Sequence, residues 1–146
     1  MKSWTRARCC MKPITAEWVE KAEGDFATLE RECRARKRPN YDGACFHAQQ
    51  CAEKYLKAML TEADVAFTKT HDLVDLLEKT LAVHPEWEAF REDLAYLSDF
   101  AVMVRYPGES ADKASALNAR RRCRLFRAEA RRALGLAPAG GTLPGF

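Results

Sequence analysis

Histidine is scarce: His47, His71 and His84 are the only three in 146 residues, so little imidazole is on hand for proton transfer or metal ligation. No apolar run approaches the roughly 18–20 residues of a membrane-spanning helix, and no membrane partner is expected. The segment Met1 to Met11 is basic but has no apolar stretch behind it, unlike a secretory signal, so a cytoplasmic setting is the expectation. Period-two alternation bounded by turn residues is absent, which argues against strands. Acidic residues almost vanish from the last stretch. Residues 114–146 hold one acid, Glu129, against seven arginines (Arg120, Arg121, Arg122, Arg124, Arg127, Arg131 and Arg132), whereas residues 1–113 hold 17 basic and 20 acidic side chains. The formal charge of +3 therefore sums a −3 body and a +6 end. That end reads either as a basic surface for phosphate or RNA or as a solvated helix face.

The six cysteines do not read as a disulfide framework, because a chain without a secretory signal is expected in a reducing compartment. Cys33, Cys45, Cys51 and Cys123 fall within apolar-periodic segments, where free Cys behaves as a small buried hydrophobe. Cys9-Cys10 lies in a basic arm, residues 1–13, that reads as disordered, and is the pair most open to oxidation. His47 and Cys51 are four apart on one helix, half of a metal site. No second pair at suitable spacing completes four ligands, so neither metal nor cofactor is expected.

With 47% apolar and 31% charged residues, the chain suits one domain with one core, and its periodicity is helical throughout. A first helix is predicted after Pro13-Ile14, capped by Thr15, with Trp18, Ala22, Phe26, Leu29 and Cys33 as its buried stripe and Pro39 beyond its end. A second spans about Tyr41 to Ala63, with Asp42 as cap. Its apolar face is Tyr41, Ala44, Cys45, Ala48, Cys51, Ala52, Tyr55, Leu56 and Met59, and its polar face His47, Gln50, Glu53, Lys54 and Lys57. Thr70 is the predicted cap of a third helix with Leu73, Leu76, Leu77 and Leu81 inward. Pro85 opens a fourth, Glu86 to about Val104, with Trp87, Phe90, Leu94, Leu97, Ala101 and Val104 inward, and Pro107-Gly108 breaks the chain. The fifth runs from about Asp112 to Leu134. Its narrow seam, Ala116, Ala119, Cys123, Phe126, Ala130 and Ala133, suits one neighbouring helix or a partner chain. The expectation is an all-α, five-helix up-and-down bundle over residues 14–136, followed by a disordered tail, residues 137–146.

Three segments carry a resemblance. Tyr41 to Ala58 (YDGACFHAQQCAEKYLKA) resembles the second helix of HEPN domains, the higher eukaryotes and prokaryotes nucleotide-binding family. Lys69-Thr70-His71-Asp72-Leu73 resembles the start of that family's third helix, and Arg105-Tyr106-Pro107 the end of its fourth. The resemblance implies an all-α bundle, often a homodimer, that works beside a separately encoded minimal nucleotidyltransferase, in several cases as a toxin–antitoxin pair. It also raises metal-independent endoribonuclease activity, which in this family uses Arg, four to six intervening residues, then His. No arginine stands five to seven residues before His47, His71 or His84, and no His follows Arg105 before Asp112. The ribonuclease motif is absent, so the resemblance implies a binding module first. An enzyme, if it is one, would be a divergent endoribonuclease using Arg105 with His47 or His71, and a purely structural dimer is the remaining alternative.

The candidate residues for a nucleotide or RNA phosphate are Arg105, Tyr106, His71, Lys69, His47, Lys54 and Lys57. Arg105 offers an always-charged fork for phosphate, against a plain role at a helix C-terminus. Tyr106 offers a ring for a base or a cover for the bundle end. His71 and Lys69 stand at a helix start, where amides favour anions, although a His there also packs locally. His47 reads as interhelical hydrogen bonding or as a site residue. Lys54 and Lys57 continue its face as a cationic strip. The structural alternative for Glu53 and Lys57 is an i,i+4 pair worth only about 0.3 kcal/mol.

Overall fold

The computed structural model of the chain describes residues 11–103 and 107–137. Among these residues five α-helices follow one another: α1 (Pro13–Arg34), α2 (Tyr41–Glu62), α3 (Leu73–Thr80), α4 (Arg91–Met103) and α5 (Lys113–Ala133), with a 3-10 turn at Pro85–Phe90 before α4. Among the described residues there is no strand. Helix α2 packs against α1, α3, α4 and α5, and none of its residues is exposed. Its predicted apolar face is buried from Ala44 to Met59, while Tyr41 is half-buried. Ala44, Ala48 and Ala52 are small, which lets neighbouring helices approach closely. Cys33, Cys45, Cys51 and Cys123 are free and buried, as their positions in the apolar pattern predict.

The helix starts differ from the sequence expectation, each for a physical reason. Pro13 occupies the first turn of α1 and Lys12 precedes it, because a residue with no N–H and a fixed φ belongs there. The expected cap, Thr15, is instead buried inside that turn, with no hydrogen-bond partner for its hydroxyl. Asn40 rather than Asp42 caps α2, its Oδ1 accepting from Gly43 N at 2.8 Å. A Cβ at Gly43 would stand 2.6 Å from the Asn40 side chain, so glycine is what admits this cap. Asp42 accepts from Ala111 N at 2.6 Å and ties the start of α2 to the approach to α5. Asp72 rather than Thr70 caps α3, accepting from the amides of Val74 and Asp75, while Thr70 Oγ1 accepts from Asp72 N.

The predicted fourth helix is divided. Trp87 and Phe90 lie three residues apart, a spacing that places two rings on one side of a 3-10 turn. Both pack edge-on against Phe126 of α5, at 5.2 and 5.4 Å between centroids. Trp87 is fully buried and its Nε1 donates to Glu129 at 3.0 Å. Helix α5 starts where expected, with Asp112 as its cap, accepting from Ser115 N. It ends in a Schellman motif: Gly135 has φ 76°, Leu136 N donates to Arg131 O and Gly135 N to Arg132 O.

Ala116, Ala119, Cys123, Phe126, Ala130 and Ala133 are all buried, and α5 packs on α2. The seam is thus used within the chain and is closed to a partner. Ala119→Arg with Ala130→Arg is therefore expected to cost on the order of 4 kcal/mol or more, since each buries a bulky unpaired charge. Helicity and the cooperative thermal transition, followed by circular dichroism, should both be lost. A variant that kept full helicity would contradict this packing.

Candidate functional site

The polar side of α2 meets neighbouring elements rather than solvent. Glu53 and Lys57 form an i,i+4 pair that is buried, with side chains 4% and 8% exposed. Lys57 Nζ donates to Glu53 Oε2 at 2.9 Å, and breaking such a pair leaves one charge uncompensated. Gln49 Nε2 donates to Glu53 Oε1 at 3.0 Å and to His71 O at 3.2 Å. Gln50 Nε2 donates to Gln49 Oε1. His71 Nδ1 lies 3.1 Å from both Glu53 oxygens. A carboxylate only accepts, so Nδ1 carries the proton and Nε2 is the nitrogen left for a ligand. The His71 side chain is 67% exposed. Lys69, two residues earlier, is exposed and has no carboxylate partner among the described residues.

A second group lies further up α2. Asp25 of α1 accepts from His47 Nδ1 at 2.7 Å and from Lys54 Nζ at 2.6 Å. His47 is therefore an interhelical hydrogen-bonding residue, and Lys54 is held by a carboxylate rather than standing in a free cationic strip. The structure thus gathers Lys57 and His71 around Glu53, and His47 and Lys54 around Asp25. Arg105 and Tyr106 lie outside the described residues, as do Cys9, Cys10, the rest of the expected arm up to residue 10, and residues 138–146. Within that expected arm, Lys12 donates to Glu62 from both its amide and its ammonium.

The arginine run is for the most part a clasp. Arg127 makes a two-pronged contact with Glu23 at 2.8 and 2.6 Å, and Arg124 does so with Glu30 at 2.7 and 2.8 Å. Arg131 reaches Glu23 and the Tyr55 hydroxyl, Arg122 reaches Asp93, Arg120 reaches Glu30, and Arg132 reaches Glu129. Arg121 bonds Asn118 instead. The Tyr55 hydroxyl donates to Glu23. Burial pushes the Glu23 carboxyl up, but the hydrogen bonds from Arg127 and Tyr55 and the nearby Arg127 and Arg131 charges outweigh it, and its pKa is lowered. Burial, with Glu23 beside it, pushes the Tyr55 phenol up. The partners lie 94 and 104 residues away in α1, so the sequence run alone did not disclose them.

On α1, Ile14, Glu17, Trp18 and Lys21 line a shallow cavity of about 90 Å³, and Lys57 Nζ stands 5.6 Å from the Trp18 ring centroid. Among the described residues, no three or more His, Cys, Asp or Glu side chains are grouped to hold a metal ion. No helix there is long and apolar enough to cross a membrane.

Four helices wrapped on a central α2, with paired polar groups along that helix, define a small all-helical domain. The family model described as HEPN domain matches residues 15–134, and the chain belongs to the HEPN domain family. No curated protein and no solved structure matches it.

The clasp has a pH signature. Glu23 has a folded pKa below its ordinary 4.5, so its stabilisation is complete above that value and is lost as pH falls through the lower, folded one. Glu23→Gln should cost about 1–2 kcal/mol at neutral pH, less than a fully buried pair because a third of the side chain meets solvent. Urea unfolding at neutral pH and at about pH 3 should show a smaller loss on acidification in this variant than in the wild type. Parallel losses would contradict the assignment.

Proposed function

We propose that this HEPN domain binds a nucleotide or RNA phosphate rather than cutting RNA, as a cytoplasmic homodimer beside a minimal nucleotidyltransferase in a toxin–antitoxin-like module. One observation carries the binding site: buried Glu53 holds His71 by Nδ1 while the ring stays 67% exposed, with exposed Lys69 two residues away. With Nδ1 engaged by Glu53, the ring meets an anion as the imidazolium, donating from Nε2 beside the free Lys69 ammonium, and an anchored ring loses little freedom on binding. Family membership supports the nucleotide class of ligand, and the missing Arg–His spacing favours binding over cleavage. The homodimer and the nucleotidyltransferase partner rest on family resemblance.

The same Glu53–His71 contact favours a second reading, a divergent endoribonuclease. A carboxylate on Nδ1 sets the tautomer in which Nε2 takes a proton, here from a 2′-hydroxyl whose oxygen attacks phosphorus; Arg105 steadies the phosphorane, and the 5′-oxygen leaves as the P–O5′ bond breaks, taking the proton back from Nε2. Titration calorimetry with ATP and GTP decides the first reading. His71→Ala and Lys69→Ala should each weaken binding about tenfold, since each removes one charge-assisted hydrogen bond worth about 1.5 kcal/mol. Absence of binding, or unchanged affinity in both variants, would sink it. Incubation with tRNA tests the second reading: cleavage abolished by both His71→Ala and Arg105→Ala would establish it.

A further inference from the structure

The fold unites two basic segments that are far apart in sequence. Arg34, at the end of α1, and Arg36, Lys37 and Arg38, in the following loop, are exposed. Arg120 and Arg124 of α5 reach the same end of the bundle through Glu30, which also meets Arg34. At this end the six cations outnumber the carboxylates, which are Glu30 and Glu32 on α1 with Asp42 and Asp112 at the starts of α2 and α5. Glu30 is only 11% exposed and is already held by both prongs of Arg124. Arg34 and Arg120 stand further from it, at 3.6 and 3.8 Å, so they keep donors free for another anion. Glu32 accepts from Asn40 N at 2.8 Å and closes the loop at its base. Arg36, Lys37 and Arg38 have no carboxylate partner among the described residues, and Arg38 turns the chain with φ 50°.

From this we propose that the α1–α2 loop and the facing arginines of α5 form a docking surface for the phosphate backbone of a single-stranded nucleic acid. Arg124 spends its fork on Glu30, and four of the other five cations (Arg34, Arg36, Arg38 and Arg120) are arginines, whose planar forks match phosphate oxygens two at a time. They are spread over two helices and a loop, which suits a row of phosphates rather than one anion. The loop is tied at its base by Glu32, so its charges are held together before the strand arrives. The surface goes beyond the nucleotide reading: it contains neither His71 nor Lys69, and either one can fail alone.

Fluorescence anisotropy with a labelled oligouridylate over a salt series tests it. The triple variant Arg36→Glu, Lys37→Glu, Arg38→Glu changes only exposed loop positions, and circular dichroism checks its fold. Binding should weaken at least about tenfold, and the slope of log affinity against log salt should fall by about 2, at about 0.7 for each phosphate that the variant no longer neutralises. His71→Ala should keep the wild-type slope, which separates this surface from the nucleotide site. The proposal is overturned if the wild type does not bind the oligonucleotide. It is also overturned if the triple variant keeps affinity and slope, or if phosphatidylserine vesicles compete the oligonucleotide away.

Discussion

Helix α2 has neighbours on every side, and not one of its 22 residues is exposed. The helix nevertheless carries Asp42, His47, Glu53, Lys54, Lys57 and Glu62. Charges out of full contact with water are costly unless they are paired, so each of these must find a partner on another element or on α2 itself. Asp42 takes the Ala111 amide, Glu62 the Lys12 amide, Asp25 takes His47 and Lys54, and Glu53 takes Lys57 and His71. These contacts fix where α1, the α3 entrance and the approach to α5 sit around the central helix. They also produce the candidate site, because the carboxylate that neutralises Lys57 is the one that orients His71.

A second set of pairs joins the two ends of the chain. Glu23 and Glu30 on α1 take the arginines of α5, and the Tyr55 hydroxyl donates to the same Glu23 from α2. Three helices thus share one carboxylate. Arg127 also stacks over Phe26, 3.9 Å from its centroid, so its stem and fork both contribute. The local excess of +6 in residues 114–146 is therefore not a uniform positive face. It is neutralised where α5 meets Glu23, and it stays in excess near the α1–α2 loop, where Glu30 and Glu32 are outnumbered.

Much of the architecture was legible in the residue pattern. The five helices, the α1 stripe, the apolar face of α2, the Leu73, Leu76 and Leu77 face of α3 and the α5 seam all follow from spacings of three and four residues. The boundaries were less so. Asn40 and Asp72 displaced Asp42 and Thr70 as caps because capping is decided by which oxygen reaches the free amides, and neighbouring polar residues compete for that place. The break before Arg91 escaped periodicity because Trp87 and Phe90 have a spacing that suits either helix type. At the site, His71 and Lys57 were singled out from the sequence, whereas Glu53, which holds both, read only as the partner in an i,i+4 pair.

The sequence by itself determined an all-helical chain, a member of the HEPN domain family, with Cys33, Cys45, Cys51 and Cys123 inside and with no arginine placed before a histidine at the family's ribonuclease spacing. Each of these depends on residue type and short-range spacing, which a linear chain carries openly. Only the tertiary structure decided that the α5 seam faces α2, that most of its arginines answer carboxylates on α1, and that His71 hangs on Glu53. Pairings between charges separated by 18 to 104 residues depend on how helices dock. Docking is governed by the shape and burial of the whole core, and no local pattern states it.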